Sequence, residues 1–161
     1  MKTKLLFVIF LISFSINSTF ACSCVKAGII KGQKQSDFVF TGKVIEVNKI
    51  VTKEKMTGTE NIIDYKRFEF VFEIKHIHKK NKDLNYTNRI TIITSGGGAD
   101  CGNYFELNKK YLVYAYKHEY KVGWGLEDQK AEKEFMSTNL CTRTKPNRFF
   151  TFLEQLILEL T

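Results

Sequence analysis

Alternation of apolar and polar residues along the chain predicts the strands of a β-rich domain. It is clearest from Arg67 to His78, where every second residue is aromatic or aliphatic and most of the residues between are charged. Successive side chains of a strand point to opposite faces, so this segment predicts a long strand with one face in the core. The side chains predicted on that face are Phe68, Phe70, Phe72 and Ile74.

Four further segments are typical of strands because they are rich in β-branched and aromatic residues. The first of them, Phe38–Val51, contains Gly42, which predicts a bulge or bend. The charged stretch after it, Lys53–Asp64, predicts a projecting hairpin loop. The other predicted strands are Arg89–Thr94, Lys110–Tyr120 and Phe135–Thr142.

Two segments predict helices. A short one is expected within Val25–Gln35, and after Pro146 breaks the chain the tail Phe149–Leu160 shows helical spacing of its apolar residues. We expect this amphipathic helix to pack its apolar face on the sheet, through Phe149, Phe150, Leu153, Leu156, Ile157 and Leu160. The whole pattern predicts a mainly β fold, a five-stranded OB-type Greek-key barrel with flanking helices, including the C-terminal one.

The first 21 residues have the features of a secretory signal peptide. Two lysines precede the apolar run Leu5–Ile16, and Thr19–Ala21 offers a small-residue cleavage site. The alternative is a membrane anchor, but the run is shorter than the roughly 20 residues that span a bilayer. We therefore expect residues 1–21 to be removed and residues 22–161 to form one secreted or periplasmic domain without a transmembrane segment.

Charge narrows the range of partners. Removal of the signal and its two lysines lowers the net charge from +8 to +6. A basic domain favours anionic partners, for example a polyanionic surface. Nucleic acid is not expected as a partner, because an exported protein rarely meets it.

The cysteines predict covalent links to the mature N-terminus. All four, Cys22, Cys24, Cys101 and Cys141, follow the signal, and an even number in an oxidising compartment predicts two disulfides. A bridge between Cys22 and Cys24 would be strained, so each is expected to bond to one of the distant cysteines, which leaves two pairings open. A zinc site is the competing interpretation, but the cysteines lack paired knuckle spacing.

The sequence contains no recognisable catalytic constellation. No serine or cysteine forms a nucleophile motif with any of the three histidines, so we expect neither an enzyme nor a cofactor. His76 and His78 share one strand face, as a metal pair would need. The favoured interpretation is a solvated strand end beside Lys79 and Lys80.

The strongest candidate chemistry lies at the mature N-terminus. Cleavage after Ala21 would expose the α-amine of Cys22, which is partly neutral at physiological pH and can then ligate a metal. The amine and the carbonyl oxygen of one residue can close a five-membered chelate on an open zinc. Such a chelate would displace the water that a zinc protease uses as nucleophile. The alternative is that Cys22 and Cys24 only staple a fraying terminus.

The cysteines and several short segments follow one another in the same order as in a known protein family. Cys22-Ser23-Cys24 directly follows the cleavage site, and the other segments are Ser36–Val44, Cys101–Gly102, Leu107–Val113 and Asn139–Cys141. Together they resemble the N-terminal domain of the tissue inhibitors of metalloproteinases, within the netrin-like module group. The resemblance covers most of residues 22–145 and implies an OB-type barrel.

The resemblance also implies a function and its residues. It implies a secreted inhibitor in which Cys22 chelates the zinc of a target metalloproteinase, while Ser23 points into the primary specificity pocket. It implies the disulfides Cys22–Cys101 and Cys24–Cys141. The residues flanking the chelating group on the contact ridge would be Cys24, Val25, Ala99, Asp100, Cys101 and Gly102.

Two alternatives accompany this hypothesis. The chain has four cysteines, whereas the animal inhibitors have more, and it lacks their separate C-terminal subdomain. One alternative is therefore a non-inhibitory netrin-like binding module that recognises a polyanion or a protein partner. The other is a surface lipoprotein acylated at Cys22, which is less favoured because Phe20 occupies a position where such signals prefer a small residue.

Overall fold

The computed structural model describes residues 24–82, 87–96, 101–120, 130–149 and 151–161, and these are mainly β. The predicted signal peptide lies outside the described residues. No helix among the described residues is long and apolar enough to cross a bilayer. The elements are α1 (Ile29–Gln35), β1 (Phe38–Lys55), β2 (Ile62–Lys80), β3 (Arg89–Ser95), β4 (Lys110–Tyr120), β5 (Lys130–Ser137), β6 (Lys145–Pro146) and α2 (Thr151–Glu159).

Five strands close into a ring. Their order is β1-β2-β3-β5-β4, and β4 pairs again with β1 over Phe38–Lys43. Neighbouring strands are antiparallel except β3 and β5, which pair in parallel through Ile92 and Ile93. The two-residue strand β6 lies beside β4 outside this ring. The predicted five-stranded OB-type barrel with flanking helices is confirmed.

The interior of the ring is filled by aromatic side chains. Phe70 and Phe72 of β2 are fully buried, and both contact the ring of Phe105 edge-on, with centroids 5.0 and 5.1 Å apart. Phe68 and Ile74 pack at the margin of the same cluster. The core face predicted from alternation in β2 is therefore confirmed. Burial of each of these large side chains stabilises the fold by roughly 1.5–3 kcal/mol.

The predicted bend in β1 is also confirmed. The pairing of β1 with β2 shifts register three times between Val39 and Glu46. Gly42 lies within this stretch, and a Cβ there would come within 2.9 Å of the Phe40 ring and 3.1 Å of the Glu73 carbonyl oxygen. Glycine allows the close approach, and the bulged strand can curve between β2 and β4 to close the ring.

Predicted bounds were wrong in two regions, the hairpin between β1 and β2 and the last strand of the ring. Lys53–Asp64 is not a loop throughout, because Lys53 pairs with Asp64 and Lys55 with Ile62, which leaves only residues 56–61 between the strands. The last strand of the ring covers Lys130–Ser137 rather than Phe135–Thr142. Strand pairing stops there because the hydroxyl of Thr138 donates to the Tyr114 carbonyl oxygen, replacing a ladder bond between backbones.

Both predicted helices exist, but α2 buries a face that was not expected. Its buried residues are Thr151, Glu154 and Leu158. Apolar residues that were predicted to pack on the sheet are exposed instead, namely Leu153, Leu156, Ile157 and Leu160, together with Phe149 before the helix. Phe150, predicted on the same face, lies outside the described residues. The helix does pack on the barrel, because Leu158 lies against Val39 and Leu112. The predicted face was wrong, since Glu154 also points inward and is held there by its partners on the barrel.

Candidate functional site

A disulfide attaches the start of the described chain to the barrel. Cys24 bonds to Cys141, with the two Cα atoms 5.0 Å apart and a sequence separation of 117. This bridge is one of the two that the resemblance implied, and the prediction of this bridge is confirmed. It places the segment following the proposed N-terminus on the turn after β5.

A second cysteine lies next to this bridge. The backbone around Cys101 runs antiparallel to the Cys141 turn, with Gly102 bridged to Asn139. The Leu140 N–H donates to the Cys101 carbonyl oxygen at 2.8 Å, and the Asn103 side chain donates to the Asn139 carbonyl oxygen at 2.7 Å. Cys101 is itself disulfide-bonded. Cys101 and Cys141, both disulfide-bonded, therefore lie on adjacent backbone segments.

Buried threonines fix the turn that carries Cys141. The Thr138 hydroxyl lies 2.9 Å from that of Thr142 and 2.8 Å from that of Thr144. Thr144 accepts from the Tyr114 N–H at 2.9 Å, which ties the cluster to β4. Buried hydroxyl groups satisfied in this way hold a unique conformation, because breaking any bond leaves a polar atom without a partner.

An ion-pair network extends this support to the N-terminal segment. Arg143 donates from Nη1 to the Ala27 carbonyl oxygen at 2.8 Å. Its other nitrogens form a bidentate pair with Glu154 of α2, at 3.0 and 2.8 Å. Lys145 pairs with the same carboxylate, and the Tyr114 hydroxyl donates to it at 2.6 Å. Glu154 thereby connects α2, the barrel and the chain leading from Cys24.

The pKa values in this network follow from its contacts. Burial alone would raise the pKa of Glu154, but hydrogen bonds from Arg143, Lys145 and Tyr114 outweigh it and lower the pKa to about 2. Burial and the neighbouring carboxylate raise the pKa of the Tyr114 phenol. The carboxylate is consequently ionised across the physiological range, and the phenol stays a proton donor to it.

The surface around the bridged cysteines is partly apolar. Val25, the residue after Cys24, is 100% exposed, and Leu140 beside Cys141 is also exposed. Tyr104 is exposed as well and packs edge-on against Phe68 and Phe70 of the core. Val25 and Leu140 are therefore exposed apolar side chains next in sequence to the two bridged cysteines.

The structure brings together those predicted site residues that it describes. Cys24 is bonded to the Cys141 turn, with the exposed Val25 next to it in sequence, and Cys101 and Gly102 lie alongside that turn. Four of the predicted site residues, Cys22, Ser23, Ala99 and Asp100, lie outside the described residues, and so does the predicted Cys22–Cys101 bridge. Sequence reasoning missed Arg143 and Glu154, because they are 11 residues apart in sequence and no periodic pattern of one helix or strand pairs them.

The two histidines of β2 are not a simple solvated strand end. The His78 side chain is only 1% exposed, whereas that of His76 is 56% exposed. Both rings contact one oxygen of Glu159 at the end of α2. The sequence interpretation was therefore wrong for His78, because the C-terminal helix covers it.

We expect loss of the Cys24–Cys141 bridge to destabilise the fold measurably. Replacing both cysteines by serine should lower the free energy of unfolding by about 2 kcal/mol, the low end for a long loop, since a second bridge at Cys101 already restrains the unfolded chain. Urea denaturation of the double variant measures this change. An unchanged midpoint would show that the bridge does not hold the segment.

No protein-family model matches this chain, and no curated protein sequence matches it.

Proposed function

We propose that the protein is a secreted inhibitor of zinc metalloproteinases that acts through the mature N-terminus at Cys22. The observation that carries the proposal is the Cys24–Cys141 disulfide, which fastens the N-terminal segment to the barrel beside Cys101. The predicted cleavage site and the family resemblance add to it. The protein itself would perform no catalysis.

Rigid attachment matters for this mechanism. Fixing the backbone of one mobile residue costs about 1–2 kcal/mol, and a loose terminus would bear that cost on binding for every residue that it orders. The disulfide, the threonine-supported turn and the Arg143 bond to Ala27 order the chain from Cys24 onward before any partner arrives. The free energy gained by ligating the metal would then not be reduced by the cost of ordering this segment.

In the proposed complex with a protease, backbone atoms of the inhibitor would bind the zinc and its side chains would contact the cleft. The Cys22 amine and carbonyl oxygen would take the zinc position that holds the nucleophilic water of the protease. Ser23 would enter the pocket beside it, and the exposed Val25 would contact the rim of the cleft. Ala99 and Asp100, with Cys101 and Gly102, would flank the chelating residue.

Inhibition assays against a panel of zinc proteases test the proposal. The exported chain starting at Cys22 should inhibit at least one of them with one inhibitor per enzyme, and it should leave serine and cysteine proteases unaffected. A panel of matrix-degrading and bacterial zinc proteases covers open active-site clefts of different shape. Absence of inhibition throughout that panel would contradict the proposal.

The net positive charge favours one second candidate, a module that binds a polyanion. Affinity for heparin, used as the polyanion, should then fall steeply as salt rises, because exposed charges are screened over about 10 Å at 0.1 M ionic strength. Weak or salt-insensitive binding would count against this candidate.

A further inference from the structure

Three side chains with metal-ligating atoms meet where α2 ends against β2. His76 Nε2 lies 2.8 Å from Glu159 Oε1, and His78 Nδ1 lies 2.6 Å from the same oxygen. All three ligand atoms lie within 4.8 Å of one another. Two imidazoles and one carboxylate are a ligand set that Zn²⁺ favours, with ligand distances of about 2.0–2.2 Å.

The fold holds the three ligands in place from two directions. His76 and His78 are two residues apart on one strand, so their rings project from the same face, with centroids 4.7 Å apart. The last turn of α2 is fixed by Gln33 of α1, which donates to the Leu158 carbonyl oxygen and accepts from the Thr161 hydroxyl. Glu159 lies between these two anchored residues.

His78 also has a suitable outer partner. Its Nε2 lies 3.0 Å from the hydroxyl oxygen of the buried Thr41. A hydroxyl can donate or accept, so His78 can carry its proton on Nε2, keep its hydrogen bond to Thr41 and offer the Nδ1 lone pair to a metal. The metal would then replace the direct contact between Nδ1 and Glu159. Ligating histidines in metal sites are held by such outer hydrogen bonds.

The site is open on one side. The side chains of His76 and Glu159 are 56% and 47% exposed, so an ion can enter from solvent and both side chains can adjust to it. The His78 ring is buried and fixes the inner ligand. Three protein ligands would leave one coordination position for water.

We propose that His76, His78 and Glu159 form a Zn²⁺ site that fastens the C-terminal end of α2 to β2. This site differs from the proposed inhibitory terminus, at which Cys22 would meet a zinc that belongs to another protein. Bound zinc would stabilise the folded chain, since the unfolded chain does not hold these three ligands together.

Calorimetric titration of the metal-free exported protein with zinc chloride tests the site. One Zn²⁺ should bind per chain, and the affinity should fall by about 100-fold or more in His76→Ala and in Glu159→Gln, both of which change exposed side chains. Thr41→Val should weaken binding by about tenfold. Circular dichroism would verify that each variant is folded.

Matched controls separate the site from general zinc affinity. His118→Ala and Glu60→Gln change groups outside the cluster and should keep the zinc affinity within about twofold of the parent. A chain extended by one alanine before Cys22 should also bind zinc unchanged, which separates this site from the N-terminal amine. The proposal would be overturned if the parent failed to bind zinc, or if His76→Ala and Glu159→Gln bound zinc as tightly as the parent. Neither result would affect the inhibition mechanism.

Discussion

Adding one alanine in front of Cys22 is expected to abolish inhibition of the target protease. The extra residue converts the Cys22 amine into an amide, which no longer offers a lone pair to the metal, and it places additional atoms where the zinc would lie. We expect the inhibition constant to rise at least about 1,000-fold, which corresponds to about 4 kcal/mol of binding free energy. Steady-state inhibition kinetics with the extended and the unextended chain measure the change.

The extended chain provides its own control for folding. Its free energy of unfolding should equal that of the parent, because the added residue precedes the disulfide-bonded segment. Ser23→Ala is a matched variant that keeps the amine and changes only the side chain next to it, and it should alter the choice of protease more than it alters the mechanism. Equal potency of the extended chain would exclude chelation by the terminus.

Replacing Glu154 by glutamine is expected to be strongly destabilising. The carboxylate pairs with Arg143 and Lys145 and accepts from Tyr114, and its side chain is almost completely buried. Removing one partner of such a buried pair leaves the other charge uncompensated, which typically costs 3–5 kcal/mol. We expect a loss of about 3 kcal/mol in the free energy of unfolding, measured by urea denaturation at pH 7.

The same carboxylate predicts the response to acid. Its pKa is about 2 in the folded protein, below the ordinary value of 4.5, so the folded state favours the ionised form. The stabilisation is complete above about pH 4.5 and is lost as the pH falls toward 2. Between pH 6 and pH 2.5 the parent should therefore lose more stability than Glu154→Gln, in which this titration is absent.

Glu60→Gln is the matched control for Glu154→Gln. Glu60 is 94% exposed and pairs with Lys55 at the surface, so its replacement should change the free energy of unfolding by less than about 0.5 kcal/mol. Similar losses in the two variants would show that the buried network is not what stabilises the C-terminal helix.

Local periodicity was sufficient to predict the barrel. Phe68, Phe70 and Phe72 alternate without interruption, and alternation determines the buried face of a strand wherever one side faces a core. Lys110–Tyr120 was predicted with its observed bounds for the same reason. Strand order was not encoded locally, but the five strands of one sheet have few ways to close on themselves.

The errors arose where long-range polar contacts override local pattern. Apolar spacing in α2 predicted that Leu153 and Leu156 would be buried. In the structure both are exposed, and the side of the helix that carries Glu154 faces the barrel. The end of β5 was misplaced because the Thr138 hydroxyl replaces a backbone partner. The Tyr114–Glu154 and Tyr114–Thr138 contacts are not visible from neighbouring residues, since they join residues 40 and 24 positions apart.

The candidate site was predictable only in part, and by resemblance more than by pattern. Residue spacing left two disulfide pairings open, and the family order implied the Cys24–Cys141 bridge that the structure contains. Arg143 escaped prediction because its bond to Ala27 spans 116 residues. The Glu159 partner of His76 and His78 escaped for the same reason, since the helix end reaches β2 only in the folded protein.

The most direct test of the inhibition mechanism is the intact mass and N-terminal sequence of the protein secreted by its native source. The mechanism predicts a mature chain whose first residue is Cys22, with an unmodified amine and all four cysteines oxidised. A chain that starts at any other residue, or that carries an acyl group on Cys22, would contradict it.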